Sequence, residues 1–385
     1  MTAHQPVSMA EQPKHREVSR ALRAAIASGH YPASKRLPSE PQLAKQFAVS
    51  RPTIARALLD LQGEGLIERR AGSGTYVRSG ASTTAATGRQ LGLLIPGLGT
   101  TEVFELICGE LASLARVHDY TLRWGDSTQP HRDTDASLKH AEELCWQFIE
   151  RKVSGVFFAP YELVSEKESA NRRLAETLRQ AGIPVVLLDR DLQSFPNRSD
   201  FDLVGLDNVA GGYLLAEHLI KLGCRHIYFV ARPHSAPTVD ARIAGVREAL
   251  MRHRLETDPR WLRIGDPAEA KFVRSLTAGQ QADAFICAND HTAAQLLRSL
   301  ENVGVKVPRD VRVVGFDDAK CAALISPPLT TIHQPCRDIA TIALRAMLER
   351  IAEPGLPARS LVLTPHLVVR ESCGAYLPRA GSKRV

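Results

Sequence analysis

Residues 184–190 read Pro184-Val185-Val186-Leu187-Leu188-Asp189-Arg190, a short apolar run that ends on two charged residues. Such a run is too short for a buried helix and is typical of a strand covered on both faces of a parallel sheet. Eight other runs of this kind occur along the chain, separated in most cases by stretches with helical periodicity. The nine predicted strands are 91–95, 120–124, 155–158, 184–188, 203–206, 226–230, 261–264, 284–287 and 311–316.

The alternation of apolar strands with helical stretches predicts an α/β domain with a doubly wound parallel sheet. Nine strands are more than one sheet of this type holds comfortably, so we expect two subdomains with a cleft between them. Helical periodicity is clearest at residues 104–117, 138–151, 174–181, 211–222, 241–253 and 292–303.

The candidate ligand site lies at the carboxyl ends of the strands, where open α/β sheets bind small molecules. Asp189 and Asp290 follow two of the strands, and a carboxylate accepts two hydrogen bonds from hydroxyl groups. Arg242 opens a helical stretch after a strand, and its planar guanidinium presents a fork of donors. Thr101 and Phe104 are candidates for the opposite wall, although Phe104 fits the core equally well. A purely structural Asp–Arg pair is the alternative for the charged residues.

The sequence lacks the enzyme motifs that we looked for. Gly97-Leu98-Gly99 follows a strand, but Glu102 stands where a dinucleotide-binding loop requires its third glycine. The sequence contains neither G-x-S-x-G nor H-E-x-x-H, and its 13 His show no metal-ligand spacing. We therefore expect no catalytic residues, no cofactor and no metal, and we expect that the protein is not an enzyme.

The positive charge is concentrated at the start of the chain. Residues 1–78 contain twelve Lys and Arg against six Asp and Glu, so they carry six of the seven net positive charges of the 385-residue chain. A basic segment joined to a nearly neutral body suggests a polyanionic partner, and nucleic acid is the usual one. A basic surface that only aids solubility is the alternative.

The cellular compartment follows from what the sequence contains and lacks. Seven Cys at scattered positions, with no C-x-x-C motif, suggest buried free thiols of a reducing compartment. No apolar segment resembles a signal peptide or approaches the roughly 20 residues of a membrane span. We therefore expect a cytoplasmic protein without a membrane partner.

The basic segment predicts a helix, a short helix, a tight turn, a third helix and a hairpin. Apolar residues from Val18 to Ile26 recur at helical spacing and form one buried stripe. Ser39 and Gln42 form a capping box that starts the second helix, and Ser50 caps the third. This order is that of a winged helix-turn-helix, whose third helix enters the major groove of DNA.

The DNA-binding candidates lie at the helix caps, on the polar side of the third helix and in the loop of the wing. Arg51 and Thr53 are placed to reach base edges and phosphates, and the capped helix ends offer backbone N–H groups to phosphates. For the two capping serines, capping alone is the alternative. The candidates are Arg36, Ser39, Glu40, Ser50, Arg51, Thr53, Arg56 and Gly72.

Four linked motifs occur in order along this segment. They are Leu37-Pro38-Ser39-Glu40, Val49-Ser50-Arg51-x-Thr53, Leu61-x-x-x-Gly65-Leu66-Ile67 and Gly72-x-Gly74-Thr75-Tyr76-Val77. Together they resemble the GntR-family DNA-binding domain, which implies sequence-specific binding to double-stranded operator DNA. Two arginines that contact DNA in that family fall here on Pro41 and Ala55, so the operator sequence is not inherited from relatives.

The longer segment contains a second set of ordered motifs. Among them are Val204-x-x-Asp207-Asn208-x-x-Gly211-Gly212, Asp240-x-Arg242-x-x-Gly245, Cys287-x-Asn289-Asp290-x-x-Ala293, Val313-Val314-Gly315-Phe316-Asp317-Asp318 and Pro327-Pro328-Leu329-Thr330-Thr331-Ile332. Over residues 90–373 they resemble the LacI/GalR effector domain, which is similar to periplasmic sugar-binding proteins. The resemblance implies a periplasmic-binding-protein-like fold, a sugar effector, and ligand contacts by Arg242, Asp290 and Asp189. Pro267 occupies a place where that family often has an aromatic ring that stacks on the ligand.

The second resemblance also implies three crossovers, near residues 190, 318 and 350. Subdomain one is then expected at about 90–190 and 319–350, and subdomain two at about 191–318 and 351–375. The whole plan is a DNA-binding domain at 14–78, a flexible linker at 79–89, an effector and dimerisation domain at 90–375, and a tail at 376–385.

The combination of the two domains resembles arabinose-responsive repressors. It implies a homodimeric transcription regulator, a repressor, that binds operator DNA under the control of a small-molecule effector of the sugar class. Control by a protein corepressor or by a non-sugar metabolite is the alternative. The linker lacks the hinge helix of LacI-type proteins, so we expect a different connector to couple the domains.

Overall fold

The structure is a computed structural model that describes residues 14–27, 31, 36–63, 67–70, 74–77, 89–95, 102–124, 134–255, 259–279 and 282–377. It divides into two compact units, Met1–Gly88 and Arg89–Val385. We call the first unit the head and the second the effector unit. Gly72, Thr101, linker residues 79–88 and tail residues 378–385 lie outside the described residues.

The head consists of three helices and a two-stranded hairpin. They are α1 (Lys14–Ala27), α2 (Glu40–Gln46), α3 (Arg51–Gly63), β1 (Ile67–Arg70) and β2 (Gly74–Val77), and the two strands are antiparallel. The helices α2 and α3 begin directly after the predicted capping residues, Ser39 and Ser50. The predicted winged helix-turn-helix layout is therefore confirmed.

A small apolar core holds the head together. Leu22 of α1, Leu43 of α2, and Ile54 and Leu61 of α3 are fully buried and pack in one cluster that also includes Val77 of the hairpin. Each fully buried aliphatic side chain of this kind contributes about 1.5–3 kcal/mol. One face of α3 is therefore buried in the core, and its opposite face is not part of this core.

The effector unit alternates strands and helices almost throughout. In chain order its elements are β3 (Arg89–Leu94), α4 (Glu102–Val117), β4 (Tyr120–Arg123), α5 (Thr134–Glu150), β5 (Gly155–Phe158), α6 (Lys167–Gln180), β6 (Val185–Leu188), β7 (Asp202–Leu206), α7 (Asn208–Lys221), β8 (Ile227–Ala231), α8 (Pro237–Arg252), β9 (Leu262–Ile264), α9 (Ala270–Thr277), β10 (Ala284–Cys287), α10 (Asp290–Asn302), β11 (Arg312–Val314), α11 (Lys320–Leu324), β12 (Thr331–His333), α12 (Cys336–Ala352), β13 (Ser360–Leu363) and β14 (His366–Val368).

Two parallel sheets form two lobes within this unit. The sheet of lobe one has the order β13-β7-β6-β5-β3-β4, and that of lobe two has the order β11-β10-β8-β9. Apolar clusters cover both faces of the first sheet, and a third cluster surrounds the second. The strands β12 and β14 form a small antiparallel pair in the segments that cross between the lobes. The expectation of a doubly wound, two-lobed α/β domain is confirmed.

Each of the nine predicted strands corresponds to one strand of the two parallel sheets, β3 to β11. The subdomain boundaries, however, differ from those expected near residues 190 and 350. The strands β7 and β13 belong to the sheet of lobe one, and α12 packs against the same lobe. The chain therefore leaves that sheet after β7 and not after β6.

A buried carboxylate explains this difference. Asp202 at the start of β7 is 1% exposed and accepts hydrogen bonds from the Arg350 guanidinium of α12 (Nε, 3.0 Å) and from the backbone N–H of Arg359, just before β13 (2.8 Å). These contacts tie β7, α12 and β13 together. The charged end of β6 at Asp189-Arg190 therefore begins a loop inside lobe one.

The cysteines are all free, and six of the seven are buried; Cys321 is half-buried. Within the described ranges, no helix combines the length and apolar character that a bilayer crossing requires. The same ranges hold no cluster of three or more His, Cys, Asp or Glu with the geometry of a metal site.

Candidate functional site

The helix α3 of the head carries basic side chains that are exposed to solvent. Arg51 and Arg56 are exposed, whereas Thr53 is half-buried. The Ser50 and Thr53 hydroxyl groups lie 2.8 Å apart, and Ser50 Oγ accepts from the Thr53 backbone N–H at 3.4 Å. Ser50 is therefore a helix cap, and Thr53 shares its hydroxyl with that cap.

The start of α2 is closed by the predicted capping pair. The backbone N–H and the hydroxyl of Ser39 both donate to Gln42 Oε1 at 2.8 Å. Glu40, the first residue of α2, is half-buried. Ser39 thus has a local structural role, and the contact of Ser39 and Glu40 with DNA stays a prediction.

Arg36 is attached to the wing. Its backbone pairs with Tyr76 of β2, and the next residue, Leu37, donates its N–H to Thr75 O at 2.8 Å. Gly74 has a φ of 116°, and a Cβ at this position would lie 2.4 Å from Arg36 Nε. The positive φ therefore favours glycine at this position, and the Arg36 side chain would have to move to admit a larger residue.

The effector unit contains a cavity of about 240 Å³ between its lobes. The cavity lies at the carboxyl ends of both sheets, as the sequence predicts, and this volume suits a molecule smaller than a drug-sized ligand. Phe104, Asp189, Arg242 and Asp290, which the sequence singles out, all line it. Its polar lining also includes Glu162, Arg190, Asp317 and Gln334.

Arg242 is buried and is held on several sides. Its Nε donates to Asn208 Oδ1 at 2.8 Å and its Nη1 to Ala288 O at 2.5 Å, and its guanidinium stacks 3.5 Å from the centroid of the Phe316 ring. A Cβ on Gly212 of α7 would lie 2.1 Å from Arg242 O. The close approach of α7 and α8 that this glycine permits sets the position of the arginine.

Asp290 lines the cavity, and its carboxylate accepts hydrogen bonds from other residues of the protein. Oδ1 accepts from the Thr331 hydroxyl at 2.6 Å, and Oδ2 accepts from the Ala319 backbone N–H at 2.9 Å. Burial, and then the nearby Asp317 carboxylate, raise the pKa of Asp290 to about 8. This group therefore joins α10 to the crossover segments, and its contact with a ligand stays a prediction.

Asp189 and its neighbour form a charged cluster on lobe one. Asp189 Oδ2 accepts from Arg190 Nε at 3.0 Å, and Arg190 Nη1 lies 2.6 Å from Glu162 Oε1. The Arg190 guanidinium lies 5.2 Å from the centroid of the buried Phe104 ring. Phe104 is thus both part of the core and part of the cavity wall.

Several polar lining residues were not predicted as ligand contacts from the sequence, among them Glu162, Arg190, Asp317 and Gln334. Asp317, with a φ of 120°, follows β11, so the strand-end signal that found Asp189 also applies to it. Gln334 lies on the crossover after β12, where no periodicity marks it. Its Nε2 donates to Asp189 Oδ1 at 3.2 Å and to Asp317 Oδ1 at 3.3 Å, so it joins the carboxylates of the two lobes.

The lobes also touch directly at the mouth of the cavity. Lys167 of α6 donates to His234 O at 3.1 Å and to Ser235 O, and the Leu163 N–H donates to His234 O at 2.7 Å. Glu162 Oε2 accepts from the Ala236 N–H at 3.3 Å. These contacts hold the loop before α8 against lobe one.

Comparison with known proteins agrees with both halves of this description. Residues 14–77 match the family model of bacterial regulatory proteins of the gntR family, and residues 216–373 match that of the periplasmic binding protein-like domain. The chain is 30% identical over 246 residues to the HTH-type transcriptional regulator MalR of Streptomyces coelicolor, covering 60% of this chain and 67% of MalR. The chain belongs to the LacI-type transcriptional repressors, with a gntR-type head.

Two further proteins extend the likeness of this LacI-type repressor. An arabinose metabolism transcriptional repressor of Geobacillus stearothermophilus is 27% identical over 372 residues, which cover 94% of this chain and 97% of that protein. A LacI family transcriptional regulator from Enterococcus faecium, solved with bound ribose, has the same fold, with a TM-score of 0.59 and 23% identity over 74% of this chain and 98% of that one. The relatives named here are repressors and regulators, and none is an enzyme.

Proposed function

We propose that this repressor binds operator DNA as a homodimer in the cytoplasm, and that a small molecule of the sugar class in the cleft controls the binding. The observation that carries the proposal is the polar cavity between the lobes. Its walls come from both lobes, so a molecule bound there contacts the two lobes at once. A ligand of this kind stabilises the closed arrangement of the lobes by its differential affinity for that state.

The head supports the DNA-binding part of the proposal. Arg51 and Arg56 are exposed on a helix whose opposite face is buried, which is the arrangement of a recognition helix. Arginines in this position bind guanine edges and phosphates. In a two-fold symmetric dimer the two recognition helices would bind a palindrome whose half-sites lie one helical turn, or a multiple of it, apart.

The relatives support the sugar class. Their names mention arabinose metabolism in one case and a bound ribose in the other. We propose that closing the lobes changes the distance between the two heads of the dimer, which alters its fit to the operator.

Two measurements on the full chain test the proposal. Fluorescence anisotropy with DNA from the chain's own genome should reveal a preferred site, with an affinity that falls steeply with salt. Calorimetry with a panel of pentoses and hexoses should then find a molecule that binds and changes operator affinity. A chain that prefers no DNA sequence, or whose operator affinity no panel sugar alters, would contradict the proposal. A response to a non-sugar metabolite or to a protein would instead favour the alternative.

A further inference from the structure

The two arginines in the cavity are already engaged by the protein. Arg190 forms ion pairs with Glu162 and Asp189. Arg242 donates hydrogen bonds from Nε to Asn208 and from Nη1 to a backbone carbonyl. Nη2 of Arg242 faces Asp317 Oδ1 at 3.9 Å. Within the described lining of the cavity, therefore, neither guanidinium is free to form the bidentate pair that an anionic group requires.

Two backbone N–H groups at helix N-termini beside the cavity are engaged as well. The N–H of Ala236, which caps α8, donates to the Glu162 carboxylate at 3.3 Å. The Thr292 N–H in the first turn of α10 donates to Asn289 Oδ1 at 2.8 Å. Backbone donors of this kind hold phosphates in other proteins, but here the protein's own oxygens occupy them.

Acceptors, in contrast, are available. Gln334 is only 4% exposed, and its Oε1 is buried without a hydrogen-bond partner in the described part of the chain. Asp317 Oδ1 receives one long hydrogen bond from Gln334, and Oδ2 receives none from the described residues. A buried acceptor left unpaired is unfavourable, and a ligand that donates to Gln334 and Asp317 relieves this cost.

The net charge of the cavity lining also disfavours an anionic ligand. Five carboxylates line the cavity against two arginines. Burial raises the pKa of Asp317 to about 7, although Arg242 acts in the opposite sense, and Asp189 raises it further. The cavity already tolerates its own negative charge poorly, so an additional anion is strongly disfavoured.

We infer that the effector is rich in hydrogen-bond donors and carries no negative charge. Its hydroxyl or ammonium groups donate to Asp317 and to Gln334 Oε1, and the cleft rejects sugar phosphates and sugar acids. This inference rests on the proposed function, because it specifies the chemical class that the same cleft accepts.

A panel of matched ligands tests the inference by calorimetry on the full chain. The probes are glucose, glucosamine, glucose 6-phosphate and glucuronate, together with ribose, arabinose and ribose 5-phosphate. We expect at least one neutral or aminated member to bind, and its phosphorylated or carboxylated analogue to bind at least 100-fold more weakly. An anionic analogue that binds as tightly as its parent would overturn the inference and leave the sugar function standing. A panel in which nothing binds would count against the proposed function, and against the inference with it.

A charge-neutralising variant makes the test specific to the cavity. Asp317→Asn keeps an acceptor oxygen but removes the charge, so it should reduce the preference for the uncharged over the anionic analogue at least tenfold. The matched control is Glu248→Gln, which removes the same charge from a surface side chain that pairs with Arg252. An unchanged preference in Asp317→Asn, or an equal change in the control, would exclude Asp317 as the discriminating group.

Discussion

The head and the cleft differ in how their functional residues are assembled. In the head, the residues at issue lie within one stretch, from Arg36 to Tyr76, and local hydrogen bonds form the helix caps at Ser39 and Ser50. In the cleft, side chains as distant in sequence as Phe104 and Gln334 meet at one cavity. A single substitution in the head should therefore remove one local contact. A single substitution in the cleft should disturb contacts between elements that are distant in sequence.

The largest effect that this comparison predicts is at Arg242. Arg242→Ala should weaken effector binding about 30-fold or more, because it removes a buried guanidinium from the cavity wall together with its hydrogen bonds to Asn208 and Ala288, and a hydrogen bond to a charged group contributes about 1.5–3 kcal/mol. Operator binding without effector should be retained, since the head is unaltered. Calorimetry and anisotropy on the same preparation measure both properties, and Arg252→Ala, an exposed arginine on the same helix, is the control. A variant that still responds normally to effector would remove Arg242 from the site.

A somewhat smaller effect is expected in the head. Arg51→Ala should weaken operator binding about tenfold to 100-fold, because one lost contact to a base or phosphate costs about 1–3 kcal/mol. Effector affinity should not change. Arg173→Ala, an exposed arginine in the effector unit, removes the same charge and should leave operator binding intact. Equal losses in both variants would mean that only the total charge matters.

The sequence reveals these two regions to different degrees, and the reason is physical. The capping residue Ser50 and the apolar stripe of α3 predict the fold of the head, because caps and helical periodicity are local signals in the sequence. The nine strands and the location of the cleft follow from apolar runs in the same way. Gln334 was missed because its importance comes from a contact between Asp189 and Asp317 that no local pattern encodes.

Two further results show contacts that no local sequence pattern encodes. The Asp290 carboxylate accepts hydrogen bonds from Thr331 and Ala319, while its contact with a ligand stays a prediction. The family resemblance implied a crossover near residue 190, yet the partners of Asp202 keep the next strand in the same sheet. In both places the outcome depends on which distant group meets the side chain.

The pH dependence of stability tests the burial of the cleft carboxylates. The pKa of Asp317 is raised to about 7 and that of Asp290 to about 8, from about 4 in an unfolded chain. The folded chain then holds protons that the unfolded chain has released, so this contribution to stability is present near pH 4 and is lost as the pH rises toward 8. Asp317→Asn should therefore come closest to the wild type in Tm at pH 4, and it should exceed the wild type by several degrees at pH 8. A constant difference between the two proteins across this range would contradict the assignment.

The smallest predicted effect lies at the mouth of the cleft. Lys167→Met keeps the aliphatic stem but removes the hydrogen bonds to His234 O and Ser235 O. Because each net hydrogen bond contributes about 0.5–1.5 kcal/mol, effector affinity should fall about three- to tenfold through weaker closure. Lys221→Met, which removes only a surface pair with Glu217, is the control. Unchanged effector affinity in Lys167→Met would mean that these contacts do not favour closure.

The most direct test of the account is reciprocity between the two regions. If the cleft controls the head, effector must change operator affinity, and operator DNA must change effector affinity by the same factor. We predict equal factors, of about five- to 150-fold as is typical of such coupling, when effector binding is titrated with and without saturating operator. An effector affinity that stays the same in the presence of operator would contradict the claim that the two regions act together.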